Sequence, residues 1–155
     1  MERTTISKFS KPHVLLSCVG VIIFAAFYGK DCTPYLNCVT YHFFHANIFH
    51  LAINIITLWQ FKPRWHTTIV AFIVSSVVYL LPFAQLSVPT CGMSALLMAS
   101  FARKYQAWNI NPTKMIIVNL LMGFIPLVNW RIHILSFITA YGFYFLQSKI
   151  RRYHH

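Results

Sequence analysis

Six apolar runs, at residues 13–29, 43–61, 67–86, 92–102, 114–128 and 132–147, fill most of this 155-residue chain. Charged residues fall between the runs, beyond them or at their edges. About 20 apolar residues cross the hydrocarbon core of a bilayer as a helix, fewer where the bilayer thins. A soluble domain carries roughly a quarter of its residues as charges to clothe its surface; this chain has 10% charged and 57% hydrophobic residues. The pattern predicts an all-α polytopic membrane protein of six spans, the fourth of them short. No repeat period and no Gly/Ser- or Pro-rich linker divides it, so residues 1–155 read as one domain. The first run has a basic flank, but FAAFYGK lacks the small-x-small pattern of a cleaved signal peptide and reads as a retained span.

The net charge of +11 invites a nucleic-acid reading, which the positions of the cations exclude. Arg3, Lys8 and Lys11 precede the first run; Lys62 and Arg64 follow the second. Arg103, Lys104 and Lys114 lie between the fourth and fifth, and Lys149, Arg151 and Arg152 follow the sixth. In a six-span topology those eleven share one side, and only Lys30 and Arg131 take the other. Excess Lys/Arg marks the cytoplasmic face, so both termini are expected there. The basicity orients the chain in a lipid bilayer and implies no nucleic-acid partner. A compact six-span core points to a prokaryotic plasma membrane. Cys32 and Cys38 fall together in the first external loop, KDCTPYLNC, where an oxidising compartment would allow a bridge.

Polar residues inside the runs are the next signal. His45, His50 and Asn54 fall in the outer half of the inward-running second span, Ser94 at the outer end of the fourth, and His133 at that of the sixth. Ser94 precedes Arg103 by nine residues, or about 14 Å of helix, and His50 precedes Lys62 by twelve, or about 18 Å. Both therefore lie below the outer surface, at similar depth. The stretch PFAQLSVPTCGM must dip inward to reach Ser94, and irregular backbone at that depth survives only inside protein or beside a water-filled cavity. A hydrated pocket open to the outside follows.

Ser94 and His133 supply a nucleophile and a general base. Gly92 permits close approach just before the helix that Ser94 would begin, where free N–H groups and the positive dipole end favour an oxyanion. His50 and Asn54, four residues apart, face the same way and add side-chain donors. Glu2 and Asp31 are the only acids and both lie outside the runs, which leaves a dyad and rules out an aspartyl mechanism. On the sixth span His133, Ser136 and Ala140 share a face whose small residues allow close helix packing. Ser17, Ser75, Ser76 and Ser100 read as structural serines bonding a carbonyl one turn back.

Together these elements resemble the rhomboid intramembrane serine proteases. The family's second-span pattern of His, four residues, His, three residues, Asn is similar to His45, His50 and Asn54. Its Gly-x-Ser resembles Gly92-Met93-Ser94, and its sixth-span His-x-x-Gly-x-x-x-Gly resembles His133, Ser136 and Ala140. The likeness covers residues 43–147 in order. It implies a six-helix rhomboid-like bundle in which Ser94 attacks a transmembrane substrate and His133 takes its proton. His50, Asn54 and the Ser94 amide would hold the oxyanion, and His45 would be structural, with no metal and no cofactor. Ala95, Ser136 and Ala140 stand where the pattern has glycines. The first external loop, about residues 30–42, is too short for the family's long amphipathic loop, and Trp130-Arg131 lies in a different loop from its Trp-Arg motif.

Two other readings compete. A catalytically inactive relative would bind transmembrane segments without cutting them. A metal- or haem-binding membrane protein would use His42, His45, His50 and His133, but leaves Ser94 and Asn54 unexplained and lacks His-Glu-x-x-His. The topology is open to a direct test: reporter fusions after residue 155 and in the 62–66 loop report cytoplasm, and a tag near residue 88 reports the outside. An external C-terminus overturns the convergence argument.

Overall fold

Local chemistry sets where each helix begins. The structure, a computed structural model, describes residues 11–84, 90–122 and 128–153. Helix α1 (Pro12–Phe27) opens on a proline at its first position, where a missing N–H costs nothing. Helix α2 (Ile48–Phe61) is capped by Asn47, whose Oδ1 accepts the His50 N–H at 2.8 Å, and ends at Lys62 in the left-handed conformation. Then come α3 (Trp65–Tyr79), α4 (Ser94–Ala107), α5 (Thr113–Met122) and α6 (Trp130–Tyr153). Three short 3-10 turns, Thr33–Tyr35, Thr40–His42 and Pro82–Ala84, lie in the connections. All regular structure among the described residues is helical.

Each apolar run thus holds one helix, with shifted ends. The run 43–61 is helical only from Ile48, because residues 43–47 form the irregular approach to the Asn47 cap. The run 67–86 is helical only to Tyr79, and the sixth helix extends to Tyr153, well beyond the expected 147. Residues 85–89, of which 85 and 86 end the third run, and residues 123–127 of the fifth lie outside the described residues. No helix among the described residues is long and apolar enough to cross a membrane. Helices α1 to α5 have 10 to 16 residues, at most about 24 Å of rise. Helix α6 has 24 residues, but its C-terminal turns carry Lys149, Arg151 and Arg152.

Helix α4 is the centre of the fold. Its Ala95, Leu96, Leu97, Ala99, Ser100 and Ala102 are all buried, with α6 and α3 as its main neighbours. Small residues on both partners let α4 and α6 approach closely: Ala99, Ser136 and Ala140 are fully buried. The two helices run parallel, Ser94 meeting His133 at one end and the Arg103 guanidinium lying 5.3 Å from the Tyr144 ring centre further along. Helix α1 packs on α2, where the Trp59 indole donates to Ser17 Oγ at 3.0 Å and Ser17 donates to the His13 carbonyl. A second cluster of Tyr41, Val78, Ala84, Ala95 and Ile132 closes the end of the bundle that holds Ser94.

Large apolar side chains face outward, and several polar ones are buried beside the apolar core. Ile22, Phe49, Ile53, Leu80 and Leu146 are each 60% exposed or more, whereas Asn54, Ser75, Ser100, Asn119 and Ser136 are buried. Ser17 and Ser75 bond one turn back as expected, Ser75 Oγ donating to the Ala71 carbonyl at 2.7 Å; Ser76 Oγ instead meets His42 Nε2, and Ser100 Oγ has no hydrogen-bond partner among the described residues.

The close α4–α6 contact predicts the effect of added bulk. Ala140→Leu pushes a branched side chain into a fully buried site and lowers stability by about 1–3 kcal/mol. Thermal unfolding in detergent checks this, with Ile138→Leu on the exposed face of the same helix as a neutral control.

Candidate active site

Ser94 is the first residue of α4, and a strained turn delivers it there. Gly92 sits at φ +103°, a conformation that residues with a Cβ rarely adopt. Its N–H donates to the Tyr41 carbonyl at 2.8 Å, which ties the turn to the 3-10 segment Thr40–His42. Tyr41 is itself immobilised, its hydroxyl donating to the Ser75 carbonyl at 3.1 Å and its ring stacking on Tyr79 at 4.4 Å. Met93, fully buried, caps the start of α4. Ser94 remains partly exposed.

The Ser94 Oγ lies 2.7 Å from His133 Nε2, a strong hydrogen bond for a neutral pair. With Nε2 as acceptor, the imidazole proton sits on Nδ1. That atom is buried without a hydrogen-bond partner, so no third group orients the imidazole among the described residues. Geometry supplies the orientation instead: His133 is 7% exposed and flanked by the buried Ile132, Ser136 and Phe137.

His50 and Asn54 converge on the same turn from α2. A Cβ added to Gly92 would lie 2.5 Å from His50 Cε1, 2.6 Å from His50 Nε2 and 3.2 Å from Asn54 Nδ2. Only glycine leaves room for that imidazole. Asn54 is 3% exposed and its Nδ2 has no hydrogen-bond partner among the described residues. A buried donor left unpaired costs about 1–3 kcal/mol, and this one adjoins the first turn of α4, whose own N–H groups lack intrahelical acceptors. The site therefore brings a serine hydroxyl, an imidazole and an amide donor together around the turn at Gly92.

His45 supports this group without joining the dyad. Its Nδ1 is bonded to the Phe43 carbonyl at 3.1 Å, and its ring packs edge-on to His50 at 5.2 Å. Ser136 and Ala140 lie buried one and two turns beyond His133. His42 turns elsewhere, bonded through Nε2 to Ser76 Oγ at 3.2 Å and close to Ser75, so the four histidines do not form one group. Among the described residues no set of three or more His, Cys, Asp or Glu could hold a metal ion. Cys32 and Cys38 are free thiols, against the bridge that their spacing allowed. Asp31 lies apart from the site, exposed; hydrogen bonds from Thr33, side chain and backbone, hold its carboxyl below the usual range.

Three contributors left little trace in the sequence. Tyr41 acts through its carbonyl, which any residue has. Thr90 and Asn129, bonded at 2.6 Å, lie outside the apolar runs; the one available signal was an Asn just before a helix, a common cap. A cleft of about 410 Å³, lined by Phe24, Phe27, Lys30, His45 and Asn47 among others, lies on the α1 side of His45 and includes neither Ser94 nor His133.

Comparison with protein-family models, curated proteins and solved structures gives no match for this chain. The reading of the site rests on its own geometry.

Proposed function

We propose that the protein is an intramembrane serine endopeptidase that cuts transmembrane segments near the outer side of the bilayer through the dyad Ser94 and His133. The observation that carries this reading is the 2.7 Å bond between Ser94 Oγ and His133 Nε2 beside the unpartnered Asn54 amide. A serine hydroxyl becomes a useful nucleophile only when a base is aligned with it. His133 takes the hydroxyl proton as Ser94 attacks the scissile carbonyl. The developing oxyanion accepts hydrogen bonds from Asn54 Nδ2, His50 and the Ser94 N–H. His133 returns the proton to the leaving amine, and water then hydrolyses the acyl-enzyme by the same path in reverse.

The membrane setting is supported by composition, by the cation asymmetry and by the apolar outer faces of the helices. Ile22, Phe49, Ile53 and Leu146, each more than 60% exposed, suit lipid better than water. Helices of 10 to 16 residues fit a bilayer that thins around a short protein, with the 3-10 turns filling the remaining depth. Polar side chains buried in such a bundle suit a water-accessible site within a membrane. An inactive relative, binding segments without cutting them, gives no reason for serine, base and donors to be aligned together.

The central test uses a fluorophosphonate on the protein in detergent. It labels one site, and Ser94→Ala abolishes both labelling and cleavage of a model transmembrane substrate with small, helix-breaking residues near its outer end. His133→Ala does nearly the same, since the pair acts as a unit. Chelators and ATP have no effect. Retained cleavage in a clean Ser94→Ala preparation overturns the reading.

The donors have a separate signature. Asn54→Ala and His50→Ala each lower turnover about 10²–10³-fold while the protein stays folded. Gly92→Ala is at least as damaging, because its methyl group lands on the His50 ring. If Asn54→Ala instead lowers the unfolding temperature and leaves turnover of the folded fraction intact, Asn54 joins helices and is no oxyanion donor.

A further inference from the structure

Asn129 precedes α6 by one residue, and every hydrogen-bonding group of its side chain is used. Its Oδ1 accepts the Ile132 N–H at 3.3 Å, the bond of a helix N-cap. Its Nδ2 donates to the Ala84 carbonyl at 3.0 Å and to Thr90 Oγ1 at 2.6 Å. One amide thus joins the start of α6, the turn after α3 and the segment leading into α4. Both Asn129 and Thr90 are 6% exposed, so these bonds compete with little water and fix geometry tightly.

The spacing gives this junction its meaning. Thr90 lies four residues before Ser94 and Asn129 four before His133, and both pairs are separated by 39 residues. Thr90 and Asn129 lie in the segments that enter the two parallel helices, so the amide–hydroxyl bond forms a rung just outside the dyad. Sliding or rotating α6 against α4 would break the rung and move His133 Nε2 off Ser94 Oγ together. Among the described residues no carboxylate holds the imidazole, and its Nδ1 has no hydrogen-bond partner. The alignment that a third triad residue would give must come from where α6 begins.

We infer that Asn129, through Thr90, is a positioning residue that sets the His133 base on Ser94 in place of the absent third triad member. The inference rests on the protease reading for its consequence in catalysis, but its geometry can be read separately. Effective alignment is sensitive: a displacement of about 1 Å in such a site costs on the order of 10²-fold in rate.

The test has two readouts on the full chain in detergent. The first is fluorophosphonate inactivation across probe concentrations. Asn129→Ala and Thr90→Val each lower the saturating inactivation rate about tenfold or more and leave the half-saturating concentration unchanged. Thr90→Ser, which keeps the hydroxyl, retains the wild-type rate, and Asn129→Ala combined with Thr90→Val falls no further than either alone. The second readout is the nitrogen-15 resonance of the His133 ring, assigned by its loss in His133→Ala. It shifts in Asn129→Ala and Thr90→Val and not in Thr90→Ser. If Asn129→Ala does not fold, the Thr90→Val and Thr90→Ser pair decides. A Thr90→Val protein with wild-type inactivation rate and an unmoved His133 resonance overturns the inference while leaving the protease reading intact. An unlabelled wild-type protein whose His133 resonance still follows the rung overturns the protease reading and leaves the positioning role standing.

Discussion

The close approach of α4 and α6 governs the rest of the molecule. Ala95, Ala99, Ser136 and Ala140 present no bulk at their contact, so two helices can lie side by side over several turns. Packing of this kind draws on van der Waals contact, which works where the surroundings are as apolar as the helices. Because the helices are parallel, their first turns coincide, and those turns carry Ser94 and His133. The remaining helices are arranged around this pair: α3 covers both, α2 brings His50 and Asn54 to the turn before α4, and α1 and α5 lean on the outside.

Polar groups in this bundle fall into two kinds. One kind is satisfied and holds elements together, as with the Tyr41 hydroxyl on α3, Ser17 beneath Trp59, and His42 on Ser76. The other kind is buried without a hydrogen-bond partner among the described residues: Asn54 Nδ2, His133 Nδ1 and His45 Nε2 lie around Gly92 and Ser94, while His13 Nδ1, His42 Nδ1, Ser100 Oγ, Asn119 Oδ1 and Ser136 Oγ are spread along the bundle. Each such group costs stability, and three of them fall where Gly92 brings α2 against the start of α4.

Much of this was legible in the residue order. Each apolar run predicts a helix because charges stop at its edges, and the expectation that His50, Asn54, Ser94 and His133 come together agrees with their meeting around Gly92. What was hidden had particular causes. Phe43 and Phe44 look like helix to any hydropathy count, yet the Asn47 cap starts α2 only at Ile48. His133 lies sixteen residues before Lys149, against nine from Ser94 to Arg103, because α6 is a longer helix that runs unbroken from Trp130 to Tyr153. The Tyr41 carbonyl and the Thr90–Asn129 bond depend on backbone and loop positions that carry no periodic signal. The spacing of Cys32 and Cys38 permits a bridge, and spacing alone does not set the distance between two side chains.

The parallel setting of α4 and α6 has a consequence for how the molecule comes into being. Parallel neighbours cannot be joined by a tight turn, so α5 and its flanking loops must be laid down between them. In a nascent chain ending before Asn129 the Ser94 hydroxyl has no His133 beside it. The pair forms only when the last helix slots in beside the fourth, at the step that completes the bundle. Under the proposed protease function, the order of synthesis would itself keep the hydroxyl from its base until the enclosure around it exists.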